Sequence, residues 1–147
     1  MPEQTHQVKQ VIAELRDVNK ERRRTAIMKL GMIGGEEALR ILIYVVSNKH
    51  EDLIVRGRAA LMLGNMRDTR AVEPLIEALA APGYQTPLFA AEALGKIGDP
   101  KAIPALEILL QSEHERYREV AGQALQRLQR KNDEQQQEVE RAPEPSA

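Results

Sequence analysis

Residues 55–75 read VRGRAALMLGNMRDTRAVEPL, and the pattern of this stretch recurs along the chain. Leu63-Gly64 has counterparts in Leu30-Gly31 and Leu94-Gly95, at spacings of 33 and 31 residues. A further 31 residues reaches Gln126 behind Leu125, a fourth copy without its glycine. A fixed period in this range marks stacked supersecondary units. Seven, eight, eleven and fifteen residues after the glycines stand Ala38, Leu39, Leu42 and Val46, then Ala71, Val72, Leu75 and Leu79, then Ala102, Ile103, Leu106 and Leu110. Those offsets trace one face of an α-helix. The segments before the glycines are periodic as well, with Ala60 and Leu63, Ala91 and Leu94, and Ala121 and Leu125. Each unit is therefore expected to be a helix, a glycine turn and a second helix.

The punctuation fits. A glycine just past a helix takes the left-handed conformation at little steric cost. Asp68 and Asp99 stand where a second helix needs an N-cap, and Pro100 suits its first position. Thr86-Pro87 repeats that logic, and Ser112 with Glu115 forms a capping-box pattern. Residues 5–18, with Val8, Val11, Ile12, Leu15 and Val18, read as one amphipathic capping helix within an N-terminal segment 1–19. Residues 20–130 hold the repeats. Residues 131–147, KNDEQQQEVERAPEPSA, carry five acids and two bases and read as a frayed helix end and a disordered acidic tail.

Composition narrows the function classes. The 147 residues suffice for one domain, and 42% are hydrophobic but only 3% aromatic, which suits packed helices rather than a β-sandwich. The net charge of −1 supplies no general attraction to nucleic acid or membrane. The absence of cysteine removes disulfides and thiolate chemistry and fits a reducing compartment. With no apolar leader and no apolar run near ~20 residues, a cytoplasmic chain without membrane insertion is expected.

The pattern Val55, Arg56, Ala59, Ala60, Leu63, Gly64, Asp68, Ala71, Pro74 and Leu75 resembles the short HEAT-like repeat of phycobilisome (PBS) lyases, over about residues 20–130. Gly35 stands where repeat one should have its Asp. Pro87 replaces the arginine seen at Arg23, Arg56 and Arg118. The resemblance implies an all-α superhelix, a HEAT-like solenoid of about eight helices, whose second helices line a concave side.

No seat for catalysis is visible, and the chain reads as no enzyme. His50-Glu51 and His114-Glu115 invite comparison with HEAT-type deoxyhypusine hydroxylases, which hold two irons with His-Glu pairs. Here the pairs fall in loops at unequal offsets before Leu63 and Leu125, so no metal and no cofactor is expected. The basic cluster Lys20, Arg22, Arg23 and Arg24 lies beside Glu21 and reads as a solvated face or inter-repeat ion pairs rather than a phosphate site. Gly31, Gly34 and Gly35 lack the following Lys-Ser/Thr of a phosphate loop.

The surface says more. Offsets 6, 9 and 13 after each glycine lie opposite the core face of the second helices. They read Glu37, Arg70 and Lys101, then Arg40, Glu73 and Pro104, then Tyr44, Glu77 and Ile108. Tyr44 and Ile108 are apolar where solvated residues are expected. Arg40, Tyr44, Arg70, Glu73, Glu77 and Ile108 are therefore the candidate partner-binding residues. A second candidate patch, for docking or self-association, is Tyr84, Leu88, Phe89 and Val120; the alternative is that the loop folds over Phe89. The reading is a protein-binding adaptor for another protein or peptide, not nucleic acid, acting as a monomer or weak homo-oligomer. The second reading is one subunit of a bilin lyase-type or phycobilisome assembly or turnover factor.

Overall fold

The computed structural model describes residues 2–143, with side chains from Thr5 onward. It is all-α among those residues: α1 (Pro2–Leu15), α2 (Lys20–Ile33), α3 (Gly35–Ser47), α4 (Leu53–Met66), α5 (Val72–Ala78), α6 (Gln85–Ile97), α7 (Ile103–Leu109) and α8 (Glu115–Arg141). Short 3₁₀ turns, Thr69–Ala71 and Pro100–Ala102, lead into α5 and α7. The first helices α2, α4, α6 and α8 pack side by side, and α1, α3, α5 and α7 each pack on the first helix that follows. One continuous Leu, Ile, Val and Ala core runs between the two rows, with Ile27, Leu30, Leu42, Leu63, Leu75, Leu94 and Leu106 fully enclosed. No repeat could cover its own apolar stripe, so the core exists only through stacking.

The repeat glycines do not make the turns. Gly31, Gly64 and Gly95 lie within the last turns of α2, α4 and α6. A Cβ at Gly64 would sit 2.7 Å from the Cα of Ala93, and one at Gly95 would sit 2.9 Å from the Cα of Ala124. At Gly64 and Gly95 glycine is needed because the next first helix presses its backbone against this one, whereas Gly31 meets the side chain of Met62. The turns come three residues later, at Gly34 (φ 69°), Arg67 (φ 54°) and Gly98 (φ 78°). The same fact explains the fourth copy. Gln126 is exposed, and among the described residues no first helix packs on that face.

Asp68 and Asp99 cap as expected, accepting from the backbone N–H of Arg70 and Lys101. Two other expected caps differ. The N-cap position of α6 is Tyr84, and the buried Thr86 lies inside the helix, its hydroxyl donating to Leu53 O at 3.0 Å. The N-cap position of α8 is His114, whose own N–H is accepted by Ser112 Oγ, so no Ser112–Glu115 box forms. Helix α1 ends at Leu15 and leaves Val18 96% exposed in the connection. Helix α8 continues to Arg141, well past the expected boundary at 131, with residues 131–141 exposed on every side. Residues 144–147 of the expected tail lie outside the described residues.

Candidate protein-interaction surface

The second helices present their solvent side as the periodicity requires. All nine residues at offsets 6, 9 and 13 are exposed. Tyr44 is 71% and Ile108 75% exposed, the first on α3 and the second on α7, with Glu73 and Glu77 of α5 between them in sequence. Amphipathic surface helices ordinarily carry charge there, so two large apolar side chains at one register are unusual. The expected core side is buried through α3 and most of α5. On α7 it opens, with Leu110 37% exposed and Ile103 half-buried, because among the described residues no further second helix covers it.

Arg70 differs from its neighbours in the row. It forks onto Glu36, with Nη2 at 2.9 Å from Oε2, and returns to its own cap Asp68 at 2.8 Å. It thereby ties the start of α3 to the start of the second repeat's second helix. The guanidinium holds the Asp68 carboxyl down at about 2 and lowers Glu36, while the two acids raise Arg70. Arg40, Glu73 and Glu77 make no hydrogen bond or ion pair among the described residues and stand open on the same face.

The second patch is not assembled as an exposed surface. Val120 is 5% exposed, and Leu88 and Phe89 are half-buried against the core. Phe89 fits because the facing position is Gly57: a Cβ there would lie 3.3 Å from Phe89 Cδ2. Only Tyr84 remains well exposed, at 52%, and it stacks on Tyr117 with ring centroids 5.5 Å apart. The Tyr117 hydroxyl donates to Tyr84 O at 2.8 Å and Gly83 O at 3.2 Å, clipping the loop before α6 onto α8. Burial raises the Tyr117 phenol. Tyr117 escapes sequence reading because nothing in a local window shows that its partner lies 33 residues away.

The three arginines of the basic cluster are engaged. Arg22 pairs with Asp17, Arg23 with Glu51, and Arg24 with Asp52 and Glu21. The repeat arginine has a further role that spacing alone did not show. Arg23 donates to Asp17 O and Val18 O, Arg56 to Val46 O, and Arg118 to Ser112 O and Glu113 O. At these three positions the cation covers the carbonyl end of the preceding helix or its following loop, and at the fourth Pro87 takes its place. The two His-Glu pairs engage different neighbours. Glu51 gives both oxygens to Arg23, and His114 lies edge-on to Tyr117 at 5.3 Å. Among the described residues, no three of His, Cys, Asp or Glu are grouped to hold a metal ion.

A family model for HEAT repeats matches residues 8–86 and 49–126. The chain belongs to the HEAT-repeat family. Over 56 residues this HEAT-repeat chain is 46% identical to a phycocyanobilin lyase subunit alpha from a Picosynechococcus species, covering 38% of the chain and 21% of that protein. Human deoxyhypusine hydroxylase superposes with a TM-score of 0.70 at 27% identity, over 84% of this chain and 43% of that one. The complex of CpcE and CpcF of phycocyanin lyase from Nostoc gives 0.59 at 20% identity, over 84% of this chain and 65% of that one, a likeness of fold. The chain thus spans about a fifth of the curated relative's length and less than half of the hydroxylase's. These relatives correct one expectation. The chain reads from sequence as no enzyme, yet the HEAT proteins it resembles are a lyase subunit and a hydroxylase. A missing catalytic motif therefore does not separate this chain from enzymes built on the same repeats. No helix among the described residues is long and apolar enough to cross a membrane.

Proposed function

We propose that this HEAT-repeat chain is a cytoplasmic subunit of an enzyme assembly, gripping a second protein along the exposed face of α3, α5 and α7. The observation that carries the reading is the exposed pair Tyr44 and Ile108, set among Arg40, Glu73 and Glu77 on a rigid stack. A preformed row meets little ordering cost when a partner docks. Engagement of the Arg22–Arg24 cluster in ion pairs supports a protein partner over nucleic acid. The lyase-type reading gains support from the 46% identical stretch, and it assigns the assembly to bilin attachment or its reversal on a phycobiliprotein.

The test has two stages. The chain is co-expressed with a second HEAT-repeat subunit, and complex formation is followed by sedimentation. A Tyr44→Ala/Ile108→Ser double variant should weaken the complex by at least about tenfold with unchanged melting temperature, as loss of interface anchors does. The complex is then incubated with a bilin and an apo-phycobiliprotein, and a visible absorbance shift is sought. Equal affinity of the variant would remove the proposed face, and no shift with any phycobiliprotein subunit would remove the lyase reading.

A further inference from the structure

The first and second junctions of the stack treat the same arginine differently. Arg23, eight residues before Gly31, is neutralised by Glu51, which stands thirteen residues before Gly64. Arg56 holds the same place before Gly64, and thirteen residues before Gly95 stands Pro82. The carboxylate is missing. Arg56 is nonetheless only 5% exposed, a buried cation without an acidic partner. Its Nε and Nη2 both donate to Val46 O, at 3.2 and 3.1 Å. Its Nη1 has no protein acceptor, yet no buried side-chain polar atom in the described structure lacks a partner, so Nη1 is not sealed in. Arg56 lines a groove of about 640 Å³ together with Lys49, Glu77, Ala80, Ala81 and Pro82.

We propose that this groove, between the C-terminal ends of α3 and α5, binds a carboxylate carried on a short apolar stem, with Arg56 as its seat and Lys49 as a second cation. Burying a guanidinium without a counter-charge is costly, and a bound carboxylate relieves that cost through a charge-assisted hydrogen bond. The charge count selects the ligand class. Arg56 and Lys49 against Glu77 leave one net positive charge, which suits a monoanion better than a phosphate dianion. Ala80, Ala81 and Pro82 give the apolar wall for the stem. The helix-end carbonyl that would otherwise repel an anion is already covered, because Val46 O is taken up by Arg56 itself. Desolvation lowers the Arg56 pKa, in keeping with a cation that lacks its partner. The inference does not rest on the partner proposed above, although Glu77 belongs to both surfaces.

Butyrate is titrated into the ¹⁵N-labelled chain, with butyramide as the uncharged control and N-acetylglutamate amide as a peptide-borne carboxylate. Butyrate should shift the Arg56 Nε–H resonance and the amides of Lys49, Ala80 and Ala81, and butyramide should not. Tighter binding of the glutamate derivative would identify an acidic side chain as the natural source, and tighter binding of butyrate a free acid; either outcome supports the site. Arg56→Gln should weaken butyrate binding about tenfold or more. Because that variant also uncovers Val46 O, two surface variants keep the test decisive. Lys49→Ala should weaken binding several-fold. Pro82→Glu, which restores the carboxylate that Arg23 enjoys, should abolish binding and raise the melting temperature. Equal shifts with butyramide, or unaltered butyrate binding by both Lys49→Ala and Pro82→Glu, would overturn the proposal.

Discussion

Ion pairs bridge the junction between α2 and α4, whereas the junction between α4 and α6 has none among the described residues. The latter closes mainly by apolar packing, with Thr86 and Lys96 adding single hydrogen bonds to Leu53 O and Asn65. In the first, Arg23 and Arg24 reach across to Glu51 and Asp52, and Gly31 faces the flexible side chain of Met62. In the second, Gly57 stands where repeat one has Arg24, Phe89 packs over it, and Gly64 meets the backbone of Ala93. The second pair of helices shares the more extensive contact. Both solutions keep the same stacking. The polar one depends on charge state and the apolar one on the absence of atoms, so the two should fail under different insults.

The largest expected effect lies at the close junction. Gly64→Leu should destabilise the chain by at least about 3 kcal/mol in urea unfolding, because the obstacle is the Ala93 backbone and cannot move aside. Gly122→Ala is the matched control. It lies within α8 with its nearest neighbour, Leu110 Cδ1, at 3.9 Å, and should gain about 0.5–1 kcal/mol from helix propensity. Loss at both glycines would mean that helix distortion, not close approach, explains the repeat glycine.

Phe89→Ser comes next. Full burial of a phenylalanine is worth about 3–5 kcal/mol against truncation, so a half-buried one should cost about 2 kcal/mol, read as a lower urea midpoint. A stability change within about 0.5 kcal/mol would mark Phe89 as surface and return it to the candidate docking residues.

The smallest effect separates the polar junction by pH. Arg24 holds the Asp52 carboxyl down at about 2 against an ordinary 3.8, so its folded pKa lies below the unfolded one. The contribution is present above about pH 4 and lost as pH falls toward 2. Asp52→Asn should flatten the stability profile in that window, leaving the slope due to Asp68, also held at about 2 by Arg70. An unchanged profile would show that even this partly buried pair contributes nothing net, as many surface pairs do.

Periodicity carried the fold because burial repeats with the helix. Offsets 7, 8, 11 and 15 located the enclosed faces of α3 and α5, and offsets 6, 9 and 13 located the exposed row with Tyr44 and Ile108. The site was less legible. Val120 looked like part of an outer patch but is buried, Tyr117 drew no attention although it fixes a loop, and Arg56 stood out only as a repeat position, not as the cover of a helix end. Their partners lie in other repeats or other helices, and a local window contains only half of each contact.

The sequence by itself determined the helices, their order, the apolar seam and the caps at Asp68 and Asp99, since these follow from spacing and local backbone chemistry. Only the tertiary structure decided why the glycines recur, which arginine lost its acid, and where an aromatic could replace an ion pair. Those outcomes depend on the distance between neighbouring first helices, which is set by two surfaces meeting and is written in neither one alone.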